Sequence, residues 1–170
     1  MTLSRRVAIL AGLLAFILIP FALFDEPMSA WTLERIKADP RLSFAWIAIA
    51  LALDVFLPIP SSIVSTVAGT LLGFPLGLLA SVTGMTAGSI LGYWFGRAVV
   101  PEETGRAFTL QKKYGVWGLL IARAVPVLAE ASVMVAGFSR MPFGRFLAVT
   151  TLANIAVSAV YAWIGSAIRW

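Results

Sequence analysis

Cysteine and histidine are both absent from this chain of 170 residues. Their absence excludes disulfides, iron–sulfur clusters, haem ligation through these side chains and zinc sites of the usual ligand set. It also excludes nucleophilic pairs of the Ser-His and Cys-His types. We therefore expect no metal, no cofactor and no enzymatic activity, and the remaining classes favour a transporter.

Charged residues are scarce as well, at 12% of the chain, whereas 60% of the residues are hydrophobic. This balance lies outside the range of soluble domains and predicts an integral membrane protein. Lys and Arg total 13 against 8 Asp and Glu, which gives a net charge of +5. Because the cations are scattered between apolar segments, we expect them at membrane surfaces and not on nucleic acid.

The N-terminal region, residues 1–41, predicts a transmembrane helix followed by an interfacial segment. Its apolar run from Val7 to Phe24 would be about 27 Å long as a helix, just enough to span a bilayer. Arg5 and Arg6 precede the run and predict a cytoplasmic N-terminus. A cleaved signal peptide has a similar pattern, but the run is long and no A-x-A site follows it. The interval 25–41 is either a short interfacial helix or a solvated loop.

A helix break is predicted after the apolar stretch from Leu42 to Leu57, which is short for a span. Two prolines separated by one residue cannot both lie within a regular helix, because each lacks an amide hydrogen and restricts its predecessor. Broken backbone at membrane depth persists only where protein buries it or water reaches it. The residues that mark this break are Asp54, Pro58, Pro60, Ser61 and Ser62.

A glycine stripe marks the long helix predicted from about Pro75 to Val100. Glycines at every fourth position share one helix face and allow close helix approach in lipid. We therefore predict a tight helix crossing on this face. An exposed stripe would favour a homodimer and a buried one a monomer. The stripe consists of Gly84, Gly88, Gly92 and Gly96, with Arg97 next to it.

The stretch from Ile121 to Gly137 is apolar enough for membrane depth, yet it contains Arg123, Pro126 and Glu130. Each ion costs at least a few kcal/mol at the bilayer centre unless it is paired or hydrated. The stretch therefore predicts a functional site inside a membrane protein.

An internal repeat connects these two regions. The segment PIPSSIVSTVAG at 58–69 corresponds to PVLAEASVMVAG at 126–137, and the two segments end at Gly69 and Gly137. With a one-residue gap, the match continues at PLG and PFG and then at two Val-Thr pairs. Four matches in register predict duplicated halves, each a broken hairpin followed by a spanning helix.

Counting membrane crossings makes this repeat an inverted one. If each hairpin enters and leaves on one side, the single helix between the hairpins carries the chain to the opposite face. We therefore predict an all-α membrane domain over 42–170, with halves at about 47–100 and 115–168, after the N-terminal transmembrane helix. This arrangement also places most cations on the cytoplasmic side, whereas a fully spanning 42–57 segment fits them less well.

In the inverted arrangement the two breaks approach each other near the membrane midplane. Our hypothesis is that Arg123 binds phosphate oxygens through its planar guanidinium, while Asp54 and Glu130 pair with it in the empty state. An ion pair that only locks the hairpins is the structural alternative. Glu130 is the strongest candidate proton carrier, because burial favours the neutral carboxylic acid. Asn154, in the helix predicted from Phe146 to Ile168, is either interhelical glue or a substrate contact.

These residues carry a resemblance to a known family. The segment YGVWGLLIARAVPVLAEASVMVAGFSRMPFGRF, preceded by GMTAGSILGYWFGR, resembles the DedA and SNARE-associated Golgi protein superfamily, also called the VTT domain. The resemblance covers roughly Leu53 to Gly165. The family pattern is a G-x-x-x-G-Y-x-x-G-R helix, then R-x-x-P, then A-G, a turn and F. The matching residues are Gly88, Gly92, Tyr93, Gly96, Arg97, Arg123, Pro126, Ala136, Gly137, Met141 and Phe146.

The resemblance implies two re-entrant hairpins that face each other in a multi-pass protein of the bacterial cytoplasmic (inner) membrane. It also implies lipid translocation: undecaprenyl phosphate recycling for bacterial DedA members, associated with the proton-motive force, and phospholipid scrambling for eukaryotic relatives. This chain departs from the pattern at Ala129, where members usually carry a second arginine, and at Ser62, where they often carry an acidic residue. The missing cation weakens the case for a doubly charged prenyl phosphate and leaves a zwitterionic or singly charged lipid open.

The sequence thus predicts a flippase or scramblase whose partners are membrane lipids, either undecaprenyl phosphate or a phospholipid, with coupling to protons as an option. The alternative is a small-ion or solute secondary transporter that uses the same carboxylates. A non-transporting assembly protein would give no reason for Arg123, Asp54 and Glu130 at membrane depth. An intramembrane hydrolase using the two carboxylates is the enzymatic alternative.

Overall fold

The computed structural model describes residues 30, 34–35, 42–57, 59–99 and 126–168 of the chain. Within these ranges every regular element is an α-helix. The predictions for the N-terminal helix, Pro58 and Arg123 lie outside the described residues. The helices are α1 at Ser43–Leu53, α2 at Ser61–Ala98, α3 at Pro126–Phe138 and α4 at Phe143–Ala167.

The helix break predicted from the paired prolines separates α1 from α2. Helix α1 ends at Leu53, and the chain continues through turns to Leu57. Pro60 precedes the first residue of α2 with an extended backbone, φ −71° and ψ 97°. Because a proline has no amide hydrogen to donate, it is tolerated at the start of a helix, where the first amides have no partner within the helix.

Helix α2 is not straight, because the chain reverses at Gly73. This glycine has φ 75° and ψ 169°, a conformation almost restricted to glycine. A Cβ built on Gly77 would lie 2.7 Å from the carbonyl carbon of Ala68, so the two sides of the reversal pack against each other. We call them α2N, residues 61–72, and α2C, residues 74–98. The long helix predicted from Pro75 therefore exists as α2C, with its proline in the first turn.

Helix α1 packs along α2C in the same direction. A Cβ on Gly84 would lie 2.6 Å from the carbonyl oxygen of Ala48. One turn further, Gly88 faces the carbonyl oxygens of Leu51 and Ala52 at 2.9 Å. Both backbones can approach this closely only because the α2C positions have no side chain.

Helix α4 packs along α2C in the opposite direction. The Asn154 side chain donates to Thr86 at 3.2 Å, and Ser158, further along α4, donates to the Met85 sulfur at 3.3 Å. Helix α4 begins at Phe143, three residues before the predicted start at Phe146. The reason is that Pro142 serves as its N-cap, with φ −55° and ψ 124°.

The helices bury a set of small polar side chains together with their apolar core, and they also expose many large apolar side chains. An exterior rich in large apolar side chains suits a surface surrounded by lipid. Two helices, α2 and α4, are long and apolar enough to cross a membrane by length and composition. The buried polar residues are Ser43, Ser65, Ser81, Ser89, Ser139, Thr150, Asn154 and Ser158. Exposed large apolar residues include Leu76, Leu79, Leu91, Trp94, Leu152, Ile155, Val160 and Trp163.

Candidate functional site

Asp54 and Glu130 line one pocket. It is a small, partly open pocket with a cavity volume of about 20 Å³, enough for a water molecule. The two carboxylates come from different regions of the sequence, the turn after α1 and the helix α3. The remaining lining residues are Val55, Met85, Ser89, Ala129 and Val133.

The glycines of α2C bring the two carboxylates together. Gly88 admits the C-terminal part of α1 next to Asp54. One turn later, Gly92 faces the side chains of Val55 and Val133, at 2.8 and 2.7 Å from a Cβ built on it. The predicted glycine stripe therefore serves two partners, α1 and α3, and a residue larger than glycine at these positions would push them away. Because the stripe is buried within the chain, it does not provide a homodimer surface.

Ser89 is a pocket residue that the sequence reasoning missed. It lies on α2C near the middle of that arm, is buried, and donates its hydroxyl to the Met85 carbonyl at 2.8 Å. The available signal was its position in the chain, one residue after Gly88 in the glycine stripe. Serine, like glycine, is enriched at the interfaces between membrane helices.

The other predicted site residues lie outside this pocket lining. Ser61 and Ser62 begin α2, half-buried, and Pro126 begins α3. Asn154 is fully buried in α4 and contacts Thr86, which is the interhelical bond that one of the two readings predicted. The structure thus joins Asp54 with Glu130 but leaves the serines and Asn154 in other positions.

In two helix pairs, each helix packs a glycine against a backbone carbonyl of the other helix. Between α2N and α4, Gly69 packs on the Ala162 carbonyl and Gly165 packs on the Thr66 carbonyl. Thr70 adds a hydrogen bond to the Gly165 carbonyl at 3.0 Å.

The second such pair joins α3 to α2C. Gly137 packs on the Tyr93 carbonyl, and Gly96 packs on the Met134 carbonyl. In both pairs each helix contributes one glycine and one carbonyl, and any Cβ would overlap backbone atoms. The glycines that the sequence assigned to structure therefore fix how the helices meet.

Tyr93 and Arg97 tie the end of α2C to the turn between α3 and α4. The buried Tyr93 hydroxyl donates to the Met141 carbonyl at 2.6 Å and accepts from the Arg97 guanidinium at 3.2 Å. The Tyr93 ring stacks on Phe146, with ring centroids 4.6 Å apart. The Tyr93 hydroxyl thus supplies the hydrogen bond that the buried Met141 carbonyl needs, and it also orients Arg97.

Among the described residues, no three acidic side chains come together in a way that could hold a metal ion. Closely packed apolar helices with buried polar side chains, large apolar residues on the exterior and two carboxylates on one pocket define a small helical membrane protein. The chain belongs to the VTT domain family, whose model matches residues 59–167. The superfamily resemblance seen in the sequence is therefore confirmed.

A curated relative supports the same family. The chain is 32% identical over 144 residues to the protein named Undecaprenyl phosphate transporter A from Bacillus subtilis (strain 168), a match covering 74% of this chain and 71% of the relative. No solved structure shows a significant match to the chain. The family and this relative point to a transporter and not to an enzyme.

Proposed function

We propose that this protein moves a phosphate-bearing lipid, of the polyprenyl phosphate or phospholipid class, between the leaflets of its membrane. The relative named as an undecaprenyl phosphate transporter supports this cargo class. The headgroup passes polar side chains inside the helix bundle, while the hydrocarbon chains stay in the bilayer. Exposed large apolar side chains on α2C and α4 provide the surface along which those chains move.

The pocket shared by Asp54 and Glu130 carries the proposal. Carboxylates near the middle of a membrane are costly unless they are hydrated or paired, and the opening of the pocket that they line supports a water-accessible path. Two ionised carboxylates would repel a phosphate anion. At least one of them must therefore be protonated when the headgroup passes, which links lipid movement to proton movement.

The inverted repeat of re-entrant hairpins is part of this proposal, and the chain reversals support it. Gly73 and Arg140 each stand two residues before a proline, and each has a positive φ, 75° and 53°. The arms that precede these reversals are short. Arm α2N is about 18 Å long and α3 about 20 Å, whereas a bilayer core is about 30 Å thick. Such arms enter the membrane without crossing it.

The helix directions and glycine contacts support the same arrangement. Arm α2N packs on α4 of the other half, and α3 packs on α2C of the first half, in both cases through reciprocal glycine–carbonyl contacts. Since α4 and α2C run in opposite directions, the two halves do as well. Substrate sites of inverted repeats lie near the midplane between such halves.

The test is lipid movement in proteoliposomes. Fluorescent phosphatidylglycerol, phosphatidylcholine and a short polyprenyl phosphate would be followed by quenching of the outer leaflet, with and without an imposed proton gradient. We expect movement with the wild-type protein, slower movement with Asp54→Asn and Glu130→Gln, and wild-type rates with Glu34→Gln, a carboxylate outside the pocket lining. A folded wild-type protein that moves none of these lipids would rule out the proposal.

Arg123 is tested in the same assay. It remains our proposed phosphate ligand from its sequence position, since it lies outside the described residues. Arg123→Ala should slow the phosphate lipids, and unchanged rates would remove the residue from the mechanism.

A second candidate is transport of a small cation or solute. The described lining of the pocket carries two carboxylates and no cationic side chain, which favours a cation over an anion. Fluxes of sodium ions and protons measured in the same vesicles separate the two functions. Ion flux without lipid movement would favour this second candidate.

A further inference from the structure

We propose that the end of the bundle carrying Arg97, Arg140 and Arg145 is a binding site for the phosphate group of an anionic lipid in the adjacent leaflet. This site is distinct from the Asp54–Glu130 pocket. This proposal requires only that the protein lies in a membrane, and it does not depend on the transport proposal. The evidence is a positioned guanidinium, two exposed aromatic rings and a backbone conformation that disfavours arginine.

Arg97 is held in place by the hydrogen bonds of Tyr93. Its guanidinium donates to the Tyr93 hydroxyl at 3.2 Å, and this hydroxyl donates to the Met141 carbonyl at 2.6 Å. Arg97 is only half-buried and makes no ion pair with a described acidic residue. Because a guanidinium has five N–H donors, most of them stay available to phosphate oxygens. A guanidinium held in a fixed orientation loses little entropy when it binds a phosphate group.

The same chain of contacts brings all three arginines to one end of the molecule. Met141, the acceptor of the Tyr93 bond, directly follows Arg140. Arg145 is one helical turn beyond Met141, exposed in the first turn of α4. A cation in the first turn of a helix is disfavoured by the helix dipole. Arg145 thus increases the positive electrostatic potential at this end of the bundle, where the α4 dipole is already positive.

Aromatic rings border the arginines in the way expected at a membrane surface. The Arg97 guanidinium lies 5.8 Å from the centroid of the Trp94 ring, and Trp94 is 51% exposed. Trp94 and Phe143 are neighbours, with centroids 5.8 Å apart. Exposed tryptophan is typical of the headgroup level of a bilayer. Arg97 is therefore at the depth of lipid phosphates.

The backbone of Arg140 shows that its charge is retained at a cost. Arg140 is the one described residue other than glycine with a positive φ, 53°. Gly73 occupies the corresponding position in the first reversal, also two residues before a proline. Glycine adopts this conformation without the steric cost that arginine bears. A position where glycine is the better residue for the backbone, yet arginine is present, indicates a requirement for the arginine side chain.

The experiment measures lipid binding and not transport. The purified full chain would be titrated with dioleoylphosphatidylglycerol and, separately, with dioleoylphosphatidylcholine. Native mass spectrometry would measure how much of each lipid stays bound. We expect preferential retention of the anionic lipid by the wild type. Arg97→Gln and Arg140→Gly should each weaken phosphatidylglycerol binding about fivefold, the typical effect of one cation near an anionic surface. Phosphatidylcholine binding should change little.

The melting temperature of each variant, measured beside lipid binding, separates an effect on binding from an effect on folding. Arg140→Gly relieves the positive-φ backbone, and a loss of lipid binding at an unchanged melting temperature would come from the missing side chain and not from misfolding. Tyr93→Phe keeps the Arg97 charge and should still reduce phosphatidylglycerol binding, because it removes the hydroxyl that holds the Arg97 guanidinium in place. Arg35→Gln is the matched control and should bind like the wild type. Equal binding of the two lipids by the wild type, or unchanged phosphatidylglycerol binding in Arg97→Gln or Arg140→Gly, would overturn the proposal.

Discussion

The carboxylates of Asp54 and Glu130 line a single pocket, although one follows α1 and the other lies in α3. Because they share one pocket, neutralising either should change the proton affinity of the other. We expect Asp54→Asn and Glu130→Gln each to slow lipid movement, and the double variant to be less impaired than the product of the single effects predicts. The measurement is the initial rate in proteoliposomes as a function of pH. Effects that multiply independently would show that the two groups act separately.

The reciprocal glycine contacts should be intolerant of a single added methyl group. Gly69→Ala, Gly96→Ala and Gly137→Ala each place a Cβ on a backbone carbonyl of the neighbouring helix. The cost should be about 1–3 kcal/mol or more, as for other overpacked positions. Thermal unfolding in detergent would show it as a lower melting temperature. Gly144→Ala is the matched control, since nothing lies within 4 Å of its Cβ position, and a similar loss there would contradict the explanation.

Asn154 should act mainly through its bond to Thr86. The side chain is fully buried, and the bond to the Thr86 hydroxyl measures 3.2 Å. Interhelical polar contacts in membranes average about 0.6 kcal/mol and reach about 1.7 kcal/mol. A double-mutant cycle with Asn154→Ala and Thr86→Val in thermal unfolding should therefore give a coupling in this range. If lipid transport falls in Asn154→Ala while the coupling is zero, Asn154 is a substrate contact instead.

Removing the Tyr93 hydroxyl should loosen the turn between α3 and α4. Tyr93→Phe keeps the ring stacked on Phe146 but leaves the buried Met141 carbonyl without its donor. An unsatisfied buried acceptor costs about 1–3 kcal/mol. The expected result is a lower melting temperature and faster amide hydrogen exchange around Met141. Tyr161→Phe is the control, because its hydroxyl makes no hydrogen bond with the described residues, and it should melt like the wild type.

The sequence predicts the helices of this protein well, because local chemistry determines where they start and stop. Pro60 precedes the first residue of α2, and Pro142 marks the start of α4. The internal repeat also predicts that the regions of Asp54 and Glu130 approach each other, and both residues line one pocket. These inferences depend on composition, spacing and internal similarity, all of which a single sequence contains.

Contacts between distant helices are less predictable. The glycine stripe indicates a close crossing but does not reveal that Gly88 meets α1 while Gly96 meets α3. Ser89 enters the pocket because of that shared packing, and Arg140 adopts its positive φ because the turn must reverse within a few residues. Such features depend on three-dimensional partners, which spacing along one helix does not identify.

The packing of α2N on α4 has a consequence for synthesis of the protein. Gly69 in α2N packs on Ala162, and the reciprocal Gly165 lies in α4 as well, near its end. Helix α2N therefore leaves the ribosome before the helix that covers its glycine face has been synthesised. Insertion into the bilayer must keep this face available until α4 arrives. A chain truncated before α4 should thus be a target for membrane quality-control proteases, and supplying α4 as a separate peptide should protect it.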